Sequence, residues 1–167
     1  LVHIFSFLDF EEKIENLYHI NQKFRQIVLE SEEVRIRKIG TIRFLHRINP
    51  KIFKIEHRYI CYPILEIIVK KFTKLNTLSL KSSLPWNTDV SIISDFGLQL
   101  KILDLSNLFT IRDLTILIIA KNCLNLRYLN ISNNYQLTNL SLRSISKNLK
   151  RLTCLNITRN PNFDIDQ

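Results

Sequence analysis

The chain has 167 residues, 46% of them hydrophobic and 23% charged, with a formal net charge of +9. That size and balance suit one compact domain, or a short array with a small module attached, and exclude a disordered tail. Two glycines, Gly40 and Gly97, cannot build either glycine-rich phosphate loop.

Leu1, Ile4, Phe5 and Leu8 recur at i, i+3, i+4 and i+7, one face of a helix. Asp9 with Glu12 forms a D-x-x-E start for a second helix, and Leu17, Ile20, Phe24, Ile27 and Val28 continue an apolar stripe. Two or three short helices in residues 1–38 bury little by themselves, so this module needs a partner or the neighbouring array.

Charge then changes sign. Residues 1–33 carry seven acids and three bases (−4), residues 34–74 eleven bases and two acids (+9), and residues 75–167 ten bases and six acids (+4). The basic block is open to several readings, a surface for nucleic acid, a surface for an acidic protein, or a solvated face. Residues 39–74 are expected to hold a basic linker and an irregular first repeat. Within them Pro63–Val69 predicts a helix with proline in its first turn, and Thr41–Leu45 and Lys51–Ile55 compete for the strand before it.

From Leu75 onward an internal repeat organises the chain. L-x-x-L-x-L occurs at Leu75, Leu78 and Leu80, then at Leu100, Leu103 and Leu105. It recurs at Leu126, Leu129 and Ile131, and at Leu152, Leu155 and Ile157. The units therefore start at 75, 100, 126 and 152, an almost constant interval. Residues 100–125 laid on 126–151 share eight identities, where chance supplies about two.

Each unit predicts a short strand, a turn and a helix, the clearest helix running from about Asp113 to Asn122. Asp113, Asn139 and Asp89 stand at helix starts, where a short acceptor satisfies free backbone N–H groups. Leu114, Leu117 and Ile118 are expected to face inward. Stacked copies share a core, which predicts an α/β solenoid with parallel strands inside and helices outside. The residues expected to point outward from the strands are Thr77, Ser79, Lys81, Ile102, Asp104, Ser106, Tyr128, Asn130, Ser132, Cys154, Asn156 and Thr158. Tyr128 is the best anchor among them for a protein partner; the competing reading is a merely solvated face. The last unit breaks off at Gln167 before a full helix, leaving an edge that a continuing chain, a tail or a partner is expected to cover.

Leu103–Ser132 resembles the leucine-rich repeats of the roughly 26-residue, cysteine-containing subtype. Ile111 and Asp113 hold its Ile/Asp turn positions, and Cys123 its helix-end cysteine, expected here to be a small buried hydrophobe. Leu108 and Leu149 depart from that subtype's cysteines. The stretch Leu1–Val28 resembles an F-box, with its I-F-S-F-L core and the aromatic-basic pair as Phe24-Arg25; Val34-Arg35 departs from the usual Leu-Trp. An F-box followed by such repeats is the pattern of one family of F-box proteins.

The resemblance implies the substrate-recognition subunit of a Skp–cullin–F-box ubiquitin ligase. Leu1, Ile4, Phe5, Leu8, Leu17, Ile20 and Phe24 would face the Skp-family adaptor, or else form the module's own core. The outward strand residues would hold a protein target, and the chain itself would catalyse nothing. The alternative is a leucine-rich-repeat scaffold with no ligase link, and a third reading is nucleic-acid association through residues 34–74, which has no convincing aromatic or helical motif behind it. His3, His19, His46 and His57 show no metal spacing, so no metal or cofactor is expected. Cys61, Cys123 and Cys154 contain no C-x-x-C and suit a reducing compartment, cytoplasmic or nuclear. The longest apolar runs, such as Ile116–Ala120, are far below the roughly 20 residues of a membrane helix, and no secretory signal is visible.

Overall fold

Short β-branched and leucine-rich runs punctuated by polar turns give the chain its strands. The computed structural model describes residues 33–36, 51–55, 62–81 and 90–164. The strands are β1 (Glu33–Ile36), β2 (Ile52–Ile55), β3 (Thr77–Ser79), β4 (Ile102–Asp104), β5 (Tyr128–Asn130) and β6 (Cys154–Asn156). They form one six-stranded sheet in sequence order, every pairing parallel. Parallel neighbours require crossovers. These contain α1 (Tyr62–Lys71) between β2 and β3, a 3₁₀ segment (Ser91–Gln99) between β3 and β4, α2 (Asp113–Asn122) between β4 and β5, and α3 (Asn139–Asn148) between β5 and β6. The fold is mixed α/β.

The register shows why the leucines recur as they do. Leu78, Leu103, Leu129 and Leu155 stand directly opposite one another in successive strands, with Phe53 opposite Leu78 and Val34 opposite Phe53. A three-residue strand buries its middle side chain, and Leu78, Leu103 and Leu129 are buried. Leu75, Leu80, Leu100, Leu105, Leu126 and Ile131 bracket them in the same core. Each fully buried aliphatic side chain contributes about 1.5–3 kcal/mol. Lys51–Ile55 supplies the strand before α1; Thr41–Leu45 lies outside the described residues.

Three local expectations change. A wholly helical module over residues 1–38 does not hold, because β1 falls inside it. Val34 and Ile36 alternate with Glu33 and Arg35, a period of two rather than 3.6. Among its described residues the unit starting at Leu75 carries a 3₁₀ segment and no α-helix, and Gly97 interrupts that segment with a φ of 50°. Asp89 lies outside the described residues. Finally, α2 turns a different face to the core. Ile116, Ile119 and Ala120 are buried, while Leu114 is 65% exposed and Leu117 and Ile118 are half-buried. An aliphatic run from Ile116 to Ala120 is apolar all round, so its period does not fix its phase.

Polar side chains tie each unit to its neighbour. Asn134 is fully buried. Its Nδ2 donates to the Leu105 carbonyl at 3.0 Å and the Ile131 carbonyl at 2.8 Å, and its Oδ1 accepts from the Leu108 N–H at 2.8 Å. Asn160 repeats the pattern one unit later, donating to the Ile131 and Ile157 carbonyls and accepting from the Asn134 N–H at 2.6 Å. Before each of these turns the backbone passes through φ of 58°, at Asn107, Asn133 and Arg159. Asparagine is among the few side chains that tolerate that conformation.

Asp113 departs from its expected role. The N-cap of α2 is Arg112, and Asp113 is the first helical residue. Its carboxylate reaches instead to the start of α3. Oδ1 accepts from the N–H groups of Thr138 (2.9 Å) and Ser141 (3.2 Å) and from Ser141 Oγ (2.5 Å), while Oδ2 accepts from Thr138 Oγ1 (2.7 Å). Burial acts to raise this carboxyl, but the Ser141 and Thr138 hydrogen bonds outweigh it and hold the group below the usual aspartate range. Asn139 likewise reaches forward, accepting from the Asp164 N–H at 3.0 Å.

Candidate functional site

The outward face of the sheet is built from the first and third residues of each strand. Strand pairing aligns Ile52, Thr77, Ile102, Tyr128 and Cys154 in one row, and Ser79, Asp104, Asn130 and Asn156 in another. Neighbours within a row are about 4.8 Å apart, the spacing of hydrogen-bonded strands.

The second row serves the fold before it serves any partner. Asp104 Oδ1 accepts from the Ser106 N–H at 2.9 Å, Asn130 Oδ1 from the Ser132 N–H at 3.1 Å, and Asn156 Oδ1 from the Thr158 N–H at 3.1 Å. Thr158 Oγ1 also donates to Asn156 Oδ1 at 2.9 Å. Each short polar side chain thus closes the turn two residues beyond its strand.

From Ile102 to Cys154 the first row is apolar and more available. Ile102 and Cys154 are exposed and Tyr128 is half-buried between them. Burial raises the Tyr128 hydroxyl above the usual tyrosine range; Asp104 and Cys154 add to the rise, and an Asn130 hydrogen bond opposes it. The phenol therefore stays protonated at neutral pH, a donor at the end of a flat apolar body. Just before this row stand Lys101 and Arg127, both exposed. The Arg127 and Tyr128 N–H groups both donate to the Lys101 carbonyl, at 2.8 and 3.1 Å, which holds the two cations on adjacent strands.

Two residues do not meet the expectation of an outward, accessible side chain. Thr77 is only 9% exposed, a short side chain in register between Ile52 and Ile102, with its hydroxyl donating to Asn76 Oδ1 at 3.0 Å. Ser106 is 2% exposed because the turn closed by Asp104 folds it inward, and its Oγ has no partner. Ser79 and Ser132 are half-buried, and Lys81 and Thr158 are exposed. The adaptor-facing candidates Leu1, Ile4, Phe5, Leu8, Leu17, Ile20 and Phe24 lie outside the described residues, as do all four histidines.

Cys123 is fully buried at the end of α2, its Sγ 3.8 Å from the Ile93 carbonyl. Burial pushes its thiol up to about 12, with Asp95 in the same direction and backbone hydrogen bonding at Gly97 opposing. Such a thiol is neither a ready nucleophile nor a ready ligand. Among the described residues no group of three His, Cys, Asp or Glu side chains is placed to hold a metal ion, and no helix is long and apolar enough to cross a membrane.

Asn134 and Asn160, the forward reach of Asp113, and the side-by-side placement of Lys101 and Arg127 are not apparent from the hydrophobic pattern of the sequence. A signal for the ladder is nonetheless present in the sequence: Asn134 and Asn160 hold the same place in successive units of an otherwise aliphatic period. No protein-family model matches this chain, and no curated protein matches it.

Proposed function

We propose that this chain is the substrate-recognition subunit of a Skp–cullin–F-box ubiquitin ligase. In this reading the stretch before β1, carrying Leu1–Val28, is the F-box that docks a Skp-family adaptor, and the array from Leu75 is a leucine-rich-repeat solenoid that holds a protein target. The observation that carries it is a combination. The F-box-like stretch Leu1–Val28 precedes units of near-constant length whose leucines stand in register across parallel strands. The buried Cys123 at the end of α2 and the apolar outward row around Tyr128 support it. The chain acts by proximity, raising the local concentration of target lysines beside an activated ubiquitin thioester supplied by other subunits. It performs no bond-making step of its own.

The test is co-purification with a recombinant Skp-family adaptor. The chain is expected to form a stoichiometric complex that Ile4→Asp with Leu8→Asp abolishes. Adaptor binding that is absent, or that survives both substitutions, removes the F-box assignment and leaves a scaffold.

A further inference from the structure

Lys101 and Arg127 have an unusual setting. They sit on adjacent strands about 4.8 Å apart in backbone spacing, both are exposed, and neither has an ion-pair partner among the described residues. Lys51, also exposed, belongs to the same row, because the Asn76 N–H donates to its carbonyl as the Lys101 N–H does to that of Asn76. Like charges so placed repel and make a local positive potential. Immediately beside them runs the accessible row Ile102, Tyr128 and Cys154, Ile102 being 40% exposed. The strip is therefore half cationic and half apolar, with both halves running across the strands.

We propose that this strip binds an extended protein segment carrying acidic side chains next to aliphatic or aromatic ones. The acids would meet Lys101 and Arg127, and the apolar side chains would lie on Ile102 and Tyr128, whose hydroxyl is available as a donor. A polypeptide fits better than nucleic acid. Tyr128 is the row's sole aromatic among described side chains, so there is no run of rings for successive bases. On its other side stands the Asp104 carboxylate, which repels a chain charged at every residue but leaves a peptide free to place uncharged side chains there. The inference rests on the reading of the outward sheet face as the target-binding surface and does not depend on the ligase link.

Selection of a displayed random-peptide library on the folded full chain tests it. Enriched peptides are expected to combine Asp or Glu with Leu, Ile, Phe or Tyr, and to bind more weakly as salt rises. Lys101→Glu with Arg127→Glu should weaken them about tenfold or more, and Tyr128→Ser should do so without the salt dependence changing. Lys101→Gln with Arg127→Gln serves where charge reversal perturbs folding, judged by circular dichroism melts. Failure to enrich any peptide, enriched peptides without an acidic excess, or affinity unchanged in the cation and Tyr128 variants overturns the proposal. So does poly-uridylate binding that is tighter than any selected peptide and is lost in the Lys101 and Arg127 variants. The same preparations are assayed for adaptor binding. Peptides selected onto the strip by a chain that binds no adaptor defeat only the ligase reading; adaptor binding without such peptides defeats only this one.

Discussion

Replacing Asn134 by alanine isolates the energetic weight of the link between units. The side chain is fully buried and makes three hydrogen bonds, two of them to groups in the preceding unit, Leu108 and Leu105. Its removal orphans the Leu108 N–H and the Leu105 carbonyl. The Ile131 carbonyl still accepts from Asn160 Nδ2 at 2.9 Å. A buried group left without a partner costs about 1–3 kcal/mol, so two give roughly 2–6 kcal/mol with a central value of about 4. For a chain of this length the central value is a fall in melting temperature of about 8–16 °C. The turn itself does not need asparagine, because Leu108 occupies the equivalent position after the equivalent left-handed residue, Asn107. The loss must therefore come from the cross-unit bonds. Urea unfolding measures the total, and amide hydrogen exchange at Leu108 reports the link directly. A loss below about 1 kcal/mol, or undiminished protection at Leu108, would refute the reasoning.

The hydrogen bonds to Asp113 make stability depend on acid. Its folded-state carboxyl titrates below the unfolded one, so the stabilisation is complete above the unfolded value of about 3.9 and disappears as pH falls through the folded value. Urea midpoints between pH 2 and 6 should therefore decline less steeply in Asp113→Asn than in the parent chain. Ser144 is buried in α3 with an Oγ that has no partner; Ser144→Ala should leave stability unchanged or raise it by about 0.5 kcal/mol, read as a thermal midpoint. Iodoacetamide at pH 8 should alkylate exposed Cys154 and spare Cys123 in the folded protein, with both labelled in urea, as peptide mapping by mass spectrometry will show.

What the sequence disclosed followed from how each interaction repeats along the chain. The rungs were legible because every unit needs an inward aliphatic at the same place, and register then sets Leu103 against Leu129. The bounds of α2, Asp113–Asn122, were legible from the same alignment. Its buried face was not, since the aliphatic and alanine run Ile116–Ala120 leaves several faces equally apolar. In α3 the inward face includes Ser141 and Ser144, which no hydrophobic pattern selects. Asp113 was recognisable as a helix-start acceptor, but its target belongs to the following helix, a choice made by stacking and invisible within one unit. The Lys101–Arg127 strip emerges only when the strands of successive units are laid side by side.

The forward-reaching side chains also restrict how this chain can change length. Asp113 bridges forward to Thr138 and Ser141, and Asn134 bridges back to Leu108 and Leu105. A deletion of one residue between bonded partners slips a strand past its neighbour and unseats several clasps together. Removal of the whole module 126–151 leaves the spacing intact and brings Asn160 to the place of Asn134. Lineages of such a chain should therefore lose or duplicate segments in multiples of about 26 residues, with odd-sized indels confined to the stretches that no clasp spans.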